Sequence, residues 1–217
     1  MIHGQTAVGE FAEGTTVTAE HWTGVYEQKR TTEVSWFQPE PTLSLELLTA
    51  TDVGADDPIL DVGAGSSVLV DRLLEHGFRD VSVLDISPPA LKAAQQRLGQ
   101  NARTVAWIVA DLLTWKPERR YKVWHDRAVF HFLTSPDDRT RYLDVLHTAL
   151  QPDGYIIIAT FAADGPDRCS GLPVARYAPS QLAEHFPGWR ILRANREHHR
   201  TPDGGIQPFT WLLLARN

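Results

Sequence analysis

Thiols are nearly absent: Cys169 is the one cysteine in 217 residues. It cannot form an internal disulfide, so the expected compartment is reducing and cytoplasmic. Cys/His pairs at zinc spacing are also missing, and no metal is expected. No apolar stretch approaches the ~20 residues that span a bilayer. The opening MIHGQTAVGEFAEGTTVTAEHW lacks both the basic and the apolar segment of a secretory signal, so no membrane partner is expected. There is no excess of positive charge either; the net charge of -6 argues against a phosphate-backbone binder and hence a nucleic-acid partner. Repeats and low-complexity tracts are lacking. What remains, 42% hydrophobic and 22% charged, suffices for one domain with a substantial core.

Residues 1–40 read as an N-terminal arm and aromatic lid, and residues 41–217 as one domain. About the first 20 residues are polar and without period, a loosely draped arm. From His21 to Glu40 the chain carries Trp22, Tyr26, Trp36 and Phe37, and Pro41 then opens a helix. Strands and helices alternate after Gly54: PILDV, then VLVDRLLEHG; VSVLDIS, then PALKAAQQRLGQN; TVAWIVAD; YKVWHDRAVFHFL, then PDDRTRYLDVLHTALQPDG; and YIIIATF. That order implies right-handed crossovers and a mostly parallel α/β sheet with helices on both faces. The end differs. After a helix APSQLAEHF, the segments WRILRANREHHRT and PFTWLLLARN flank the turn signal PDGG and predict an antiparallel hairpin.

Ligands bind such sheets beyond the strand carboxyl ends. ILDVGAGSS breaks from a strand into a small-residue turn, where Gly63 and Gly65 allow a positive φ or close approach by a ligand, and Ser67 stands where a third glycine would be sought. A lone G-x-G also fits a plain strand-to-helix turn. Asp85 ends the next strand about 20 residues on, where a carboxylate can accept both ribose hydroxyls of an adenosine; alternatively it caps the turn into Ser87-Pro88-Pro89. Asp111 ends the third strand, within reach of an adenine amino group. Three such strand ends in a row point to an adenosine-bearing cofactor.

With these motifs in place the chain resembles a class I S-adenosylmethionine-dependent methyltransferase of the bacterial small-methyltransferase type, over roughly residues 56–217. ILDVGAGSS, VLDIS, VADLL, LQPDGYIIIATF and the closing hairpin carry the resemblance. It implies a Rossmann-like seven-stranded sheet. It implies too that Asp61, Gly63, Ala64, Gly65, Ser67, Asp85, Ile86, Asp111 and Leu112 touch S-adenosyl-L-methionine, with S-adenosyl-L-homocysteine as product. HWTGVYEQKRTTEVSWFQP is similar to the N-terminal cap of these enzymes and of related eukaryotic protein-lysine methyltransferases. HDRAVFHFL stands where the lysine enzymes carry Asp-Lys-Gly-Thr; Asp126 and Arg127 keep the acid and the base, but Ala128-Val129 replaces Gly-Thr.

Trp22 and Trp36 are lid candidates, since an aromatic face near a sulfonium gains a cation–π attraction; packing alone would also explain them. Asp126 and Arg127 are expected on the methionine side, with Asp126 also able to orient an amine. His131 is the base candidate because its ordinary pKa lies near ~6.5, the alternative being a satisfied core histidine. Phe37, Gln38, His131, Cys169 and Tyr177 are expected around the acceptor, Cys169 as a wall rather than a nucleophile. The expected reaction is methyl transfer to N, S or O of a small molecule. Alternatives are a protein lysine acceptor, a nicotinamide dehydrogenase, and a non-catalytic cofactor-binding domain.

Overall fold

The computed structural model describes residues 18–217. The loose arm expected over the opening residues lies, up to residue 17, outside the described residues.

The first element is a helix where the sequence suggested only a lid: α1, Ala19–Gln28, capped by Thr18, whose Oγ1 accepts the His21 N–H at 3.3 Å. None of its residues is fully buried, and its short apolar stripe of Ala19, Trp22, Val25 and Tyr26 was not used to foresee it. A short loop leads to α2, Thr42–Thr49, which buries Ser44, Leu47 and Leu48.

The alternating core follows: β1 Ile59–Val62, α3 Leu69–Glu75, β2 Val81–Asp85, α4 Pro88–Leu98, β3 Val105–Val109, β4 Tyr121–Arg127, α5 Pro136–Ala149 and β5 Leu150–Phe161. α5 starts on Ser135, whose Oγ accepts the Asp138 N–H at 3.1 Å, with Pro136 in its first turn. The loop after β5 folds into a hairpin the sequence reading missed, β6 Arg168–Cys169 against β7 Leu172–Pro173. Its turn is Ser170-Gly171, both with positive φ (50° and 80°), the geometry of a tight two-residue hairpin turn. Then come α6, Pro179–Ala183, and the closing pair β8 Trp189–Arg200 and β9 Ile206–Arg216.

The seven main strands lie in the order β3-β2-β1-β4-β5-β9-β8, with β3 through β5 parallel and β9 antiparallel to both β5 and β8. β1 and β2 are buried along their whole length, as parallel strands covered on both faces must be. The edge strand β8 is largely exposed and carries Arg190, Arg193, Arg196 and Arg200, charges that discourage edge-to-edge pairing. The strand order reverses between β1 and β4, where Val62 pairs with Asp126. Gly63 and Arg127 therefore leave the sheet side by side at its switch point, where ligands bind in such sheets.

Candidate functional site

A cavity of about 490 Å³ opens over the carboxyl ends of the parallel strands. Gly63, Asp85, Ile86, Asp111 and Leu112 line one end. Arg127, Phe161, Cys169, Gln207 and Phe209 line the other, and Trp22, Tyr26 and Trp36 contribute from the N-terminal segment. A smaller cavity of about 50 Å³ adjoins it and shares Trp36, Val62, Gly63 and Arg127 in its wall. Asp61, Ala64, Ser67, Phe37, Gln38, Ser44 and His125 line that recess.

Gly63 and Gly65 both hold left-handed backbone, φ +59° and +57°. A Cβ on Gly63 would lie 2.0 Å from Val129 Cγ2, and one on Gly65 would lie 2.0 Å from Tyr26 Oη. The loop thus needs glycine for its own packing as well as for any ligand. Ser67 has local work: its Oγ accepts the Leu69 N–H at 3.1 Å at the start of α3. Arg97 of α4 fastens the turn from below, donating to Ser66 O at 2.8 Å and Ser67 O at 2.6 Å, and pairing with Asp71.

Asp85 caps the turn, the alternative the sequence offered, and also lines the large cavity. Its Oδ2 accepts the Gly65 N–H and its Oδ1 the Ser87 N–H, each at 2.7 Å. A carboxylate offers about four lone-pair sites, so one on each oxygen is free for a donor from the cavity. Burial pushes its carboxyl up to about 6, against the pull of the Ser87 and Gly65 amides. Asp111 stands at the exposed rim, its Oδ1 accepting the Leu113 N–H at 2.9 Å. Asp61 is buried at the recess: Oδ1 meets His125 Nδ1 at 2.7 Å, and His125 Nε2 meets Ser44 Oγ at 2.9 Å. Asp61 Oδ2 has no hydrogen-bond partner among the described residues.

The N-terminal aromatics meet edge-on: Trp22 lies 5.7 Å from Trp36 and 5.2 Å from Phe132, and Tyr26 lies 6.1 Å from Trp36, between ring centroids. The two parts of this segment are attached differently. The Trp36 loop is pinned to the sheet by His199 Nε2 to Ser35 O (2.7 Å), Arg127 Nη1 to Trp36 O (2.9 Å) and Gln38 Nε2 to Glu197 Oε1 (2.5 Å). α1 instead lies on α4 and the glycine loop by side-chain contact.

Three expectations after β4 and β5 are corrected. Asp126 is fully buried and does not line either cavity; it accepts from Tyr142 Oη at 2.7 Å and from the Val129 and Phe130 amides at 2.9 and 3.2 Å. Alternation along β4 turns it toward α5, away from the methionine side where it was expected. Burial raises its carboxyl to about 6, against those hydrogen bonds. His131 is also fully buried, and its Nδ1 accepts the Phe161 N–H at 3.3 Å. Burial, then the nearby Arg127 charge, lowers its pKa to about 3, and its Nε2 is buried without a partner among the described residues, so it is a neutral core histidine rather than a base. Tyr177 packs on Phe130 and His185 in the core beneath α5 and α6, outside the cavity wall.

Phe37 and Gln38 face the recess rather than the large cavity. Cys169 does line the large cavity, aimed there by the small hairpin; burial lifts its thiol to about 12, partly opposed by Arg127, which leaves it inert. Ala128 was not foreseen. It holds φ +74° on the cavity wall, unusual for a residue with a Cβ, at the position where the lysine-enzyme motif has glycine. Phe161, Gln207 and Phe209 were missed as well, because their convergence with Arg127 depends on β9 returning beside β5.

Residues 59–154 match the model of a methyltransferase domain family. The chain thus carries a methyltransferase domain, and in sequence and fold it is similar to the class I S-adenosylmethionine-dependent methyltransferases. It is 27% identical to EEF1A lysine methyltransferase 2 of Mus musculus over 174 residues, 72% of this chain and 70% of that one. It is 30% identical to malonyl-[acyl-carrier protein] O-methyltransferase 1 of Ilyobacter polytropus over 104 residues, 48% of this chain and 37% of that one. Its fold superposes with TM-score 0.71 on Burkholderia thailandensis 1,6-didemethyltoxoflavin-N1-methyltransferase, solved with 1,6-didemethyltoxoflavin and S-adenosylhomocysteine. That match is 23% identical and covers 92% of this chain and 87% of the other. This methyltransferase has, among its described residues, no helix long and apolar enough to cross a membrane and no cluster of side chains suited to a metal ion.

Proposed function

We propose that this methyltransferase transfers a methyl group to an N, S or O atom of a small molecule. The residues present fit the cofactor: Asp61 Oδ2, buried and without a hydrogen-bond partner among the described residues, suits an ammonium such as that of a methionine tail. Asp85 would accept the ribose hydroxyls on its two free lone-pair sites. Asp111, with Ile86 and Leu112, would border the adenine, and the left-handed turn from Gly63 to Gly65 would underlie the sulfur. When bound, S-adenosyl-L-methionine supplies a methyl group made electrophilic by its sulfonium. Trp22 and Trp36 would form a lid that excludes water and faces this charge with aromatic rings. The protein's share is mostly positioning, because the described wall of the large cavity includes no histidine.

The observation that carries the choice of acceptor is the distribution of acid. The carboxylates of the large cavity are Asp85, Asp111 and Asp138, at the ends of β2 and β3 and the start of α5. The opposite end offers Phe161, Phe209, Cys169, Gln207 and Arg127, with no acid to receive a lysine ammonium among the described residues. The test is transfer from radiolabelled S-adenosylmethionine to a panel of small acceptors, beside a panel of lysine-containing proteins. Label is expected in small molecules; label confined to protein lysine would overturn the proposal.

A further inference from the structure

We propose that Arg127 is the receptor for a carboxylate carried by the methyl acceptor, so that the substrates are small organic acids methylated at another atom. This rests on the reading of the site as a small-molecule methyltransferase.

Arg127 leaves the end of β4 and lines both cavities. Only Nη1 has an acceptor, the Trp36 carbonyl at 2.9 Å. Nε and Nη2 are shielded from solvent and have no hydrogen-bond partner among the described residues. The acids that would pair with it are engaged elsewhere. Glu197 takes Gln38 Nε2 on one oxygen and Trp211 Nε1 on the other, at 2.5 and 2.8 Å. Asp61 is held by His125 on Oδ1 at 2.7 Å, and its Oδ2 makes no hydrogen bond to the guanidinium. Burial pulls the guanidinium pKa below its ordinary value, while the Glu197 charge offsets part of that pull. A buried cation with two idle donors is costly unless something negative completes it. A carboxylate matches the two-pronged geometry of those donors better than any neutral group.

Position favours an acceptor's carboxylate over the cofactor's own. The guanidinium lies over the Phe209 ring, 4.7 Å from its centroid, so it leans across β5 toward β9, the side of β4 opposite β1 and its Asp61. Beside it Gln207 Oε1, buried and without a partner among the described residues, offers an acceptor for a donor group on the same molecule. The carboxylate so held is a poor nucleophile, which is why the methyl must go to a different atom. A lysine ammonium brought to this end would meet the guanidinium as a like charge.

Isothermal titration decides, with aromatic probes chosen to match the Phe161 and Phe209 walls. First, S-adenosylhomocysteine should bind the wild type; failure there removes the cofactor reading itself. With S-adenosylhomocysteine saturating, benzoate should bind at least tenfold more tightly than benzamide. Equal affinity, or no benzoate binding, overturns the proposal while leaving the cofactor reading intact. Arg127→Gln should erase the benzoate advantage and keep the ratio of S-adenosylhomocysteine to methylthioadenosine affinity, since the latter lacks the amino-acid tail. A tenfold fall in that ratio would instead assign the guanidinium to the cofactor's carboxylate and overturn the proposal. Should Arg127→Gln not fold, Arg127→Lys keeps the charge without the fork and should shrink the benzoate advantage; an unchanged advantage counts against the proposal.

Discussion

The two ends of the cavity are made of different material. At the β1–β2–β3 end the wall is tied to main chain: left-handed Gly63 lines it, and the oxygens of Asp85 each hold one backbone amide, one of them from Gly65. At the β4–β5–β9 end it is made of long side chains, and donors or acceptors on Arg127 and Gln207 are without partners among the described residues. A wall of satisfied main chain has one shape and suits a ligand common to a family. A wall of side chains can change its occupant with few substitutions, so specificity belongs there. The experiments that separate the two ends are best taken from the largest effect down.

The largest concerns a residue belonging to neither end. Asp126→Ala should cost about 3–5 kcal/mol of stability, because it strands the Tyr142 hydroxyl and the Val129 and Phe130 amides in the core. Urea denaturation measures it. Wild-type stability with lost cofactor binding would return Asp126 to the site.

Next is Asp85. Asp85→Ala should weaken S-adenosylhomocysteine by about 1.5–3 kcal/mol, the loss of a buried charged acceptor. The wild type should also show a pH signature. Hydroxyls donating to Asp85 favour its charged form, so the carboxyl titrates lower when bound than its value of about 6 when free. Affinity is then full above pH 6 and falls by up to about tenfold per unit below it. Calorimetry from pH 8 to 5 checks this, and a flat profile identical to that of Asp85→Asn would remove the ribose role.

A smaller effect tests the glycine turn. Gly65→Ala places a Cβ in left-handed backbone, costing about 1–2 kcal/mol, and drives it against Tyr26 Oη. Pairing it with Tyr26→Ala in a double-mutant cycle separates backbone strain from the displaced helix. Perfect additivity would mean that α1 does not close on the loop.

These contrasts also explain what could be read from the sequence. The β1–β2–β3 end was legible because each part is local: a glycine turn after an apolar strand, then an acid ending each of the next two strands. The mostly parallel sheet with its closing hairpin was legible for the same reason, since alternation and a terminal hairpin leave few topologies. The other end was not. Asp126, Arg127 and His131 are neighbours in sequence, but strand alternation and a short 3-10 turn at Phe130–Phe132 send only Arg127 to the cavity. Gln207 and Phe209 join it through a pairing with β5 that no local motif announces. The helix α1 carries a short apolar stripe of Trp22, Val25 and Tyr26, and the Ser170-Gly171 turn a turn signal; both left readable marks that went unused.

The smallest effect belongs to α1. Among the described residues this helix has no hydrogen bond to the sheet comparable to the three that pin the Trp36 loop. Its contribution to binding should therefore come from its rings. Trp22 faces the large cavity between Trp36 and Phe132. If its ring meets the sulfonium, Trp22→Leu should weaken S-adenosylmethionine by about 0.5–2 kcal/mol and hardly change neutral-sulfur S-adenosylhomocysteine. An equal loss for both ligands would mean that Trp22 only packs the helix down, leaving the β1–β2–β3 end to hold the cofactor without an aromatic contribution to its charge.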